Sequence, residues 1–176
     1  MRVTTRPRGR RYVVVVIPDG TTSPGDTDVL ACVDLSDASE AVVAEAAAIA
    51  AAIGGRLHIL HVAADEPALA GYDKESLGTF TRRDRARQLL DEHAGLRSLA
   101  AELEKGGLEI VPLLEMGATV ERITAAAERL DAAIVAIGSH GHGAMHHLLL
   151  GSVSQQLLKE MTRPVLVIPT RTAAIP

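Results

Sequence analysis

The feature that most constrains the fold of this chain is an alternation. Five short, nearly unbroken apolar runs, Val29–Val33, Leu57–Val62, Ile110–Leu114, Ala133–Ile137 and Val165–Ile168, are separated by longer stretches with helical spacing. Apolar runs of this kind suit strands covered on both faces, as parallel strands flanked by helices are. Residues Asp37 to Ile53 read as a first helix, with Asp37 and Glu40 spaced as a capping box and Gly54-Gly55 as its stop. A second helix runs from about Thr81 to Lys105 and closes at Gly106-Gly107, after an irregular excursion over residues 64–80. The third, about Ala118–Leu130, carries Val120, Ile123, Ala127 and Leu130 on one face. The fourth, about Ser152–Thr162, carries Val153, Leu157 and Met161 and ends at Arg163-Pro164. This β-α-β-α-β-α-β-α-β order predicts an α/β fold, a doubly wound five-stranded parallel sheet with four helices in a single domain. Ligands of such sheets bind at the carboxyl ends of the strands, where the strand order reverses.

With 176 residues, 47% of them apolar, the chain is long enough for one domain with a real core. Aromatic residues make up only 2%, so the core is aliphatic and there is no aromatic platform for stacking single-stranded nucleic acid. Charge is uneven. Arg2, Arg6, Arg8, Arg10 and Arg11 crowd the first eleven positions, which hold no acid, and the remaining body is acidic. An acidic body argues against nucleic acid as the main partner. The basic arm reads as a solvated tail and Gly20–Asp28 as a linker. The expected organisation is an extension and linker over 1–27, a folded domain over 28–170 and a tail over 171–176. The apolar run Tyr12–Ile17 ends at Pro18 and is too short for a membrane span or the core of an export signal. It adds a strand to a sheet edge, covers a dimer seam, or belongs to a cleavable or mis-assigned extension. The expectation is a cytoplasmic protein with no membrane partner. The single cysteine, Cys32, cannot form an internal disulfide and reads as a small buried apolar residue.

The chemistry is concentrated after the fourth apolar run, in Gly138-Ser-His-Gly141-His-Gly-Ala-Met-His-His-Leu-Leu-Leu-Gly151-Ser152-Val-Ser154. Strand, glycine-rich turn and helix N-terminus in that order make an anion pocket from backbone N–H groups and the positive end of a helix. A phosphorylated small molecule is the expected ligand. Two better-known phosphate loops are excluded. No Gly-Lys occurs anywhere, which removes the Gly-x4-Gly-Lys-Ser/Thr loop. Position 146 is His where a dinucleotide fingerprint starting at Gly141 needs glycine, and that fingerprint belongs after the first strand.

The spacing that fits is Gly-x2-Gly-x9-Gly-Ser, at Gly138, Gly141, Gly151 and Ser152, with Ser154 following and Pro164-Val-Leu-Val-Ile168 closing the domain. Together with Val33-Asp34-Leu-Ser36 at the first strand end, it resembles the ATP-binding branch of the universal stress protein family over residues 28–169. Leu35 departs from the pattern, because glycine is frequent there. The resemblance implies an adenine nucleotide alpha hydrolase-like fold that binds ATP with Mg²⁺. Gly138, His140 and Gly141 would pass ribose and phosphates along the backbone. Gly151, Ser152, Val153 and Ser154 would hold the terminal phosphates, with Mg²⁺ bridging their oxygens. Asp34 would face the nucleoside, and Val33, Val62 and Met116 would wall the adenine, plain core packing being the competing reading of those three. It also implies a homodimer formed through the C-terminal strand Val165–Ile168, taken as a sheet edge.

His140, His142, His146 and His147 crowd the glycine loop, where the family often carries a basic residue. They make phosphate attraction pH-dependent or weaker, or else form a metal-responsive loop, for which their spacing is poor. His58 and His61 flank the second strand as ordinary polar positions. Asp34 and His140 are the only obvious candidates for a general base, and no lysine-bearing phosphate loop supports rapid turnover. The function expected is an ATP-binding stress-response regulator that is not an enzyme. The alternatives are a slow ATPase on the same fold, or a ligand-free dimerising scaffold.

Overall fold

A computed structural model of the chain describes residues 2–8, 11–17, 27–64, 82–104, 106–139 and 150–170. The elements are β1 (Arg2–Arg8), β2 (Arg11–Ile17), β3 (Val29–Val33), α1 (Ser39–Ile53), β4 (Leu57–Ala63), α2 (Arg82–Glu104), β5 (Ile110–Met116), α3 (Thr119–Arg129), β6 (Ile134–Gly138), α4 (Ser152–Glu160) and β7 (Val165–Ile168). Among the described residues they form one sheet in the order β1-β2-β7-β6-β3-β4-β5. The five apolar runs are its parallel part, β7-β6-β3-β4-β5. The chain winds outward from β3 to β5, then returns to the other side of β3 for β6 and β7. The strand order therefore reverses between β3 and β6, the place where open α/β sheets form a ligand crevice outside their carboxyl ends.

Alternate side chains of each strand serve two separate cores. On one face Val29, Ala31, Val33, Leu57, Ile59 and Leu166 pack against Val42, Val43, Ala46 and Ala50 of α1 and against Leu96 and Ala100 of α2. On the other, Leu30, Leu60, Val135, Ile137, Val165 and Val167 pack against Val120, Ile123 and Ala127 of α3 and Leu157 of α4. Small residues on α1 let the helix backbone lie close to the sheet, which is how a core without large aromatics is filled. Cys32 packs against the α3 and α4 side, and burial pushes its thiol pKa up.

The lower edge of the sheet is locked by a buried carboxylate. Asp28, at the start of β3, is 2% exposed. Arg56 grips it with Nε and Nη2 (3.0 and 2.7 Å to Oδ2) and with its backbone N–H (3.0 Å to Oδ1). His58 Nε2 donates to Oδ2 at 2.9 Å, since an ionised carboxylate only accepts. Burial raises the Asp28 pKa, but the hydrogen bonds from Arg56 and His58 outweigh it and hold the carboxyl at about 2. His58 is thus a partner of this clamp and not an ordinary polar position.

Three sequence-based expectations are corrected. The N-terminal arm is not a solvated tail: β1 and β2 form an antiparallel hairpin, and β2 pairs antiparallel with β7. Tyr12–Ile17 therefore extends the sheet. For the same reason Val165–Ile168 is not an edge strand but lies between β2 and β6, so the surface expected to pair two copies is already used. The proposed capping box does not form either. The N-cap of α1 is Ala38 without a side-chain cap, because the turn before it is organised by Asp34 instead. The C-terminal stop at Gly54 is as expected, with φ 72° and its N–H on the Ala50 carbonyl.

Candidate functional site

The crevice is built from the ends of β3 and β6 and the start of α4. Strands β3 and β6 are direct neighbours, with Cys32 opposite Ile137, so the register carried on puts Val33 level with Gly138 and Asp34 level with Ser139. Asp34 Oδ1 accepts the Ser36 N–H (3.1 Å), the Ser36 hydroxyl (2.6 Å) and the Ser39 hydroxyl (3.3 Å). One carboxylate oxygen thus folds the chain back from strand into helix, as an Asx turn does. The turn requires a left-handed residue, and Leu35 supplies it with φ 62°. That explains why glycine is frequent there in the resembling pattern. A leucine costs about 1–2 kcal/mol in this conformation. Its side chain offsets part of that by packing against the α1 and α2 core and lying over Gly95 of α2.

The glycine loop is closed at its base by main-chain bonds. Gly151 N–H donates to the Ser139 carbonyl (2.9 Å), and Ser139 N–H donates to the Ile168 carbonyl (2.8 Å). Thr170 N–H donates to the Ser139 hydroxyl (3.2 Å). Ser154, buried in the first turn of α4, donates its hydroxyl to the Gly138 carbonyl (2.9 Å). The loop therefore leaves and re-enters at one point, and α4 starts there. Its N-cap is Gly151, with no side-chain cap. Ser152 and Val153 sit exposed in the first turn, where helical N–H groups have no carbonyl of their own helix to reach. Among the described residues nothing caps this N-terminus, which carries about half a positive charge and suits an anion.

The sequence-derived site residues are only partly brought together. Asp34, Gly138, Gly151, Ser152, Val153 and Ser154 converge at the crevice. Val153 is 39% exposed, so it does not share the core packing of Leu157 and Met161. His140 and Gly141 lie outside the described residues, as do His142, His146 and His147. The three residues expected to wall a base do not share a face. Val33 belongs to the α1 and α2 core, whereas Val62 packs on the α3 and α4 side. Met116, 43% exposed, ends β5 two strands away from β3.

Several residues that organise the crevice are given no such role by the sequence, where Ser36 is only part of a motif and His61 an ordinary polar position. Ser36 and Ser39 fix Asp34, and Ser139 ties the loop base to β7. His61 is another. Its Nδ1 lies 2.9 Å from the Val33 carbonyl, so that nitrogen carries a proton and donates. Its Nε2 faces Glu92 of α2 at 3.8 Å. Glu92 in turn accepts from Gln88 (2.8 Å), Gln88 accepts from Arg85, and Arg85 also reaches the Ala64 carbonyl. This chain of contacts fastens α2 to the strand ends beside Asp34. A histidine at the carboxyl end of a parallel strand was the available signal. Among the described residues no three His, Cys, Asp or Glu side chains gather as a metal site. No helix among them is long and apolar enough to cross a membrane.

The model of the universal stress protein family matches residues 27–169. The universal stress protein MJ0577 of Methanocaldococcus jannaschii is 31% identical over 78 residues, 44% of this chain and 48% of that protein. The matched stretch thus spans about half of that relative. Its solved structure has a TM-score of 0.68 at 24% identity, covering 84% of this chain and 98% of that one. A universal stress protein of Thermus aquaticus is 31% identical over 140 residues, 80% of this chain and 96% of the relative. The structure of an Archaeoglobus fulgidus universal stress protein in complex with dAMP has a TM-score of 0.60 at 21% identity, covering 81% of this chain and 97% of that one. The structural likenesses agree with the doubly wound sheet, and with a family model matched over most of this chain and a relative 31% identical over nearly its full length, the chain belongs to the universal stress protein family.

Proposed function

We propose that this universal stress protein binds ATP in the crevice between β3 and β6 and acts as a cytoplasmic stress-response regulator switched by ATP occupancy. The observation that carries the reading is the uncapped N-terminus of α4, joined through Gly151 and Ser139 to the β6 end and set beside Asp34. The dAMP held by the Archaeoglobus relative supports an adenine nucleotide as the ligand class. In this reading the Ser152 and Val153 amides and the Ser152 hydroxyl take the terminal phosphates. The same reading assigns the ribose and phosphate path to Gly138, His140 and Gly141, and has Asp34 accept from the nucleoside. Ser154 acts one step back, holding the Gly138 carbonyl in place. Val33 and Val62 support the strand ends from opposite faces, and Met116 offers an exposed apolar flank. The donors here suit phosphate oxygens, and Mg²⁺ would neutralise those oxygens and be held largely by them, as a hard cation that keeps several waters.

The site reads as a binding switch and not a catalyst. Asp34, the described acid nearest the crevice, has its Oδ1 engaged by Ser36 and Ser39, so its part is to fix the turn and accept from the nucleoside and not to act as a general base. A ligand that binds only the folded state raises thermal stability by about 2.7 kcal/mol at a hundred times its Kd. Thermal unfolding with Mg-ATP, AMP and Zn²⁺ therefore tests the reading directly. Mg-ATP at millimolar concentration is expected to raise Tm, and Gly151→Val is expected to abolish that rise. An unchanged Tm with Mg-ATP would refute nucleotide binding. Steady phosphate release lost in Asp34→Ala would favour slow hydrolysis instead.

A further inference from the structure

We propose that the N-terminal hairpin β1–β2 is a plug, seated in cis on the β7 edge, that excludes a second copy of this chain and holds the protein monomeric. All four residues of β7 are buried, with Val165 and Val167 in one core and Leu166 and Ile168 in the other. Left bare, such a strand would present unpaired N–H and C=O groups along a two-faced apolar ribbon. That is the surface that recruits another chain. Strand β2 occupies it instead, with Val14 opposite Val167, Val15 opposite Leu166 and Val16 opposite Val165. Val16 is 5% exposed, so the strand is seated and not merely adjacent.

The tether permits this within one chain. Val16, Val165, Val135 and Leu30 lie in one row across the sheet. Three strand spacings separate the ends of that row, about 14 Å. The residues between Val16 and Leu30 can span about 45 Å when extended. A short tether presents its strand at millimolar effective concentration, so a second copy at micromolar concentration is outcompeted about 10²- to 10³-fold for the same contacts.

Both outer edges of the extended sheet resist a further strand. On β5, Glu109 accepts from the Leu57 N–H and Gly117 donates to the Ala63 carbonyl. The unbroken register between them turns odd-numbered β5 residues toward β4. Pro112 therefore faces outward, where it has no N–H to offer. Strand β1, the other edge, contains Pro7 together with Arg2, Arg6 and Arg8. Proline and repeated like charge both disfavour pairing with an identical strand. The hairpin thus replaces an apolar edge with a guarded one.

The full-length chain tests this. Light scattering after gel filtration, from micromolar to several hundred micromolar, is expected to show a monomer of 18.5 kDa. In Val16→Cys/Val165→Cys, mild oxidation is expected to give an intrachain disulfide, seen as a monomeric band without reductant. The wild type, with only Cys32, is the control. Val16→Asp places a charge in the β2–β7 contact and is expected to release the hairpin and produce a concentration-dependent dimer. A wild-type dimer overturns the proposal, and so does an interchain disulfide, which would mean the hairpin is exchanged between copies. A Val16→Asp protein that keeps wild-type circular dichroism and stays monomeric at every concentration also overturns it. If that variant fails to fold, the wild-type mass and the disulfide decide.

Discussion

Replacing Asp28 by asparagine isolates the clamp at the lower edge of the sheet. In the folded chain its carboxyl titrates at about 2, against an ordinary value of 3.8. That gap corresponds to about 2.4 kcal/mol at most, at 1.36 kcal/mol for each pKa unit. Arg56 is 45% exposed, so water screens part of the attraction and about 1–2 kcal/mol is the expected cost of Asp28→Asn at pH 7. The amide still occupies the site, but its NH₂ group opposes donors from Arg56 and His58. Because the folded pKa is the lower one, the stabilisation is present above the unfolded value and is lost as pH falls from 3.8 through about 2. About half of it should be gone by pH 3. Urea unfolding followed by circular dichroism at pH 7, 5 and 3, for both proteins, measures the difference, and carboxylates common to both cancel. A wild-type advantage that is the same at pH 7 and pH 3 would refute the linkage. One below about 0.5 kcal/mol at pH 7 would place the clamp among ordinary surface pairs.

Three further outcomes are expected. Gly95→Ala, in the interior of α2, should stabilise by about 0.5–1 kcal/mol, because helix propensity improves and the new methyl lies 3.9 Å from Leu35, an ordinary contact. A lowered Tm would contradict it. Gly55→Ala should destabilise by more than about 2 kcal/mol, since its Cβ would sit 1.9 Å from the Thr27 carbonyl oxygen and only backbone movement relieves that. Soluble expression and urea midpoint check it. Ser154→Ala should cost about 1–2 kcal/mol in the absence of nucleotide by orphaning the Gly138 carbonyl, whereas the exposed Ser152→Ala should leave that stability unchanged and shrink only the Mg-ATP thermal shift. Equal behaviour of the two serines in both measurements would show that their roles are not divided in this way.

The residue pattern determined the parallel sheet, because each run such as Val29–Val33 or Val165–Ile168 is apolar on both faces and only helices on two sides can cover it. It also placed the phosphate-binding candidate, because Gly138, Gly151 and Ser152 mark a strand end and a helix start whatever the rest of the chain does. Spacing alone could not reveal that Val33 and Val62 face opposite cores, since that depends on strand register. Nor could it assign the Ser154 hydroxyl to Gly138, which joins α4 to the end of β6, or join Asp28, Arg56 and His58, which lie at the starts of neighbouring strands, because such contacts depend on how the elements pack. The hairpin shows the limit most clearly. The run Tyr12–Ile17 announces a strand, but hydrogen bonding between strands is indifferent to sequence distance. Only the tertiary structure decided that its partner is β7, near the opposite end of the chain, and so closed the edge that the sequence had left open.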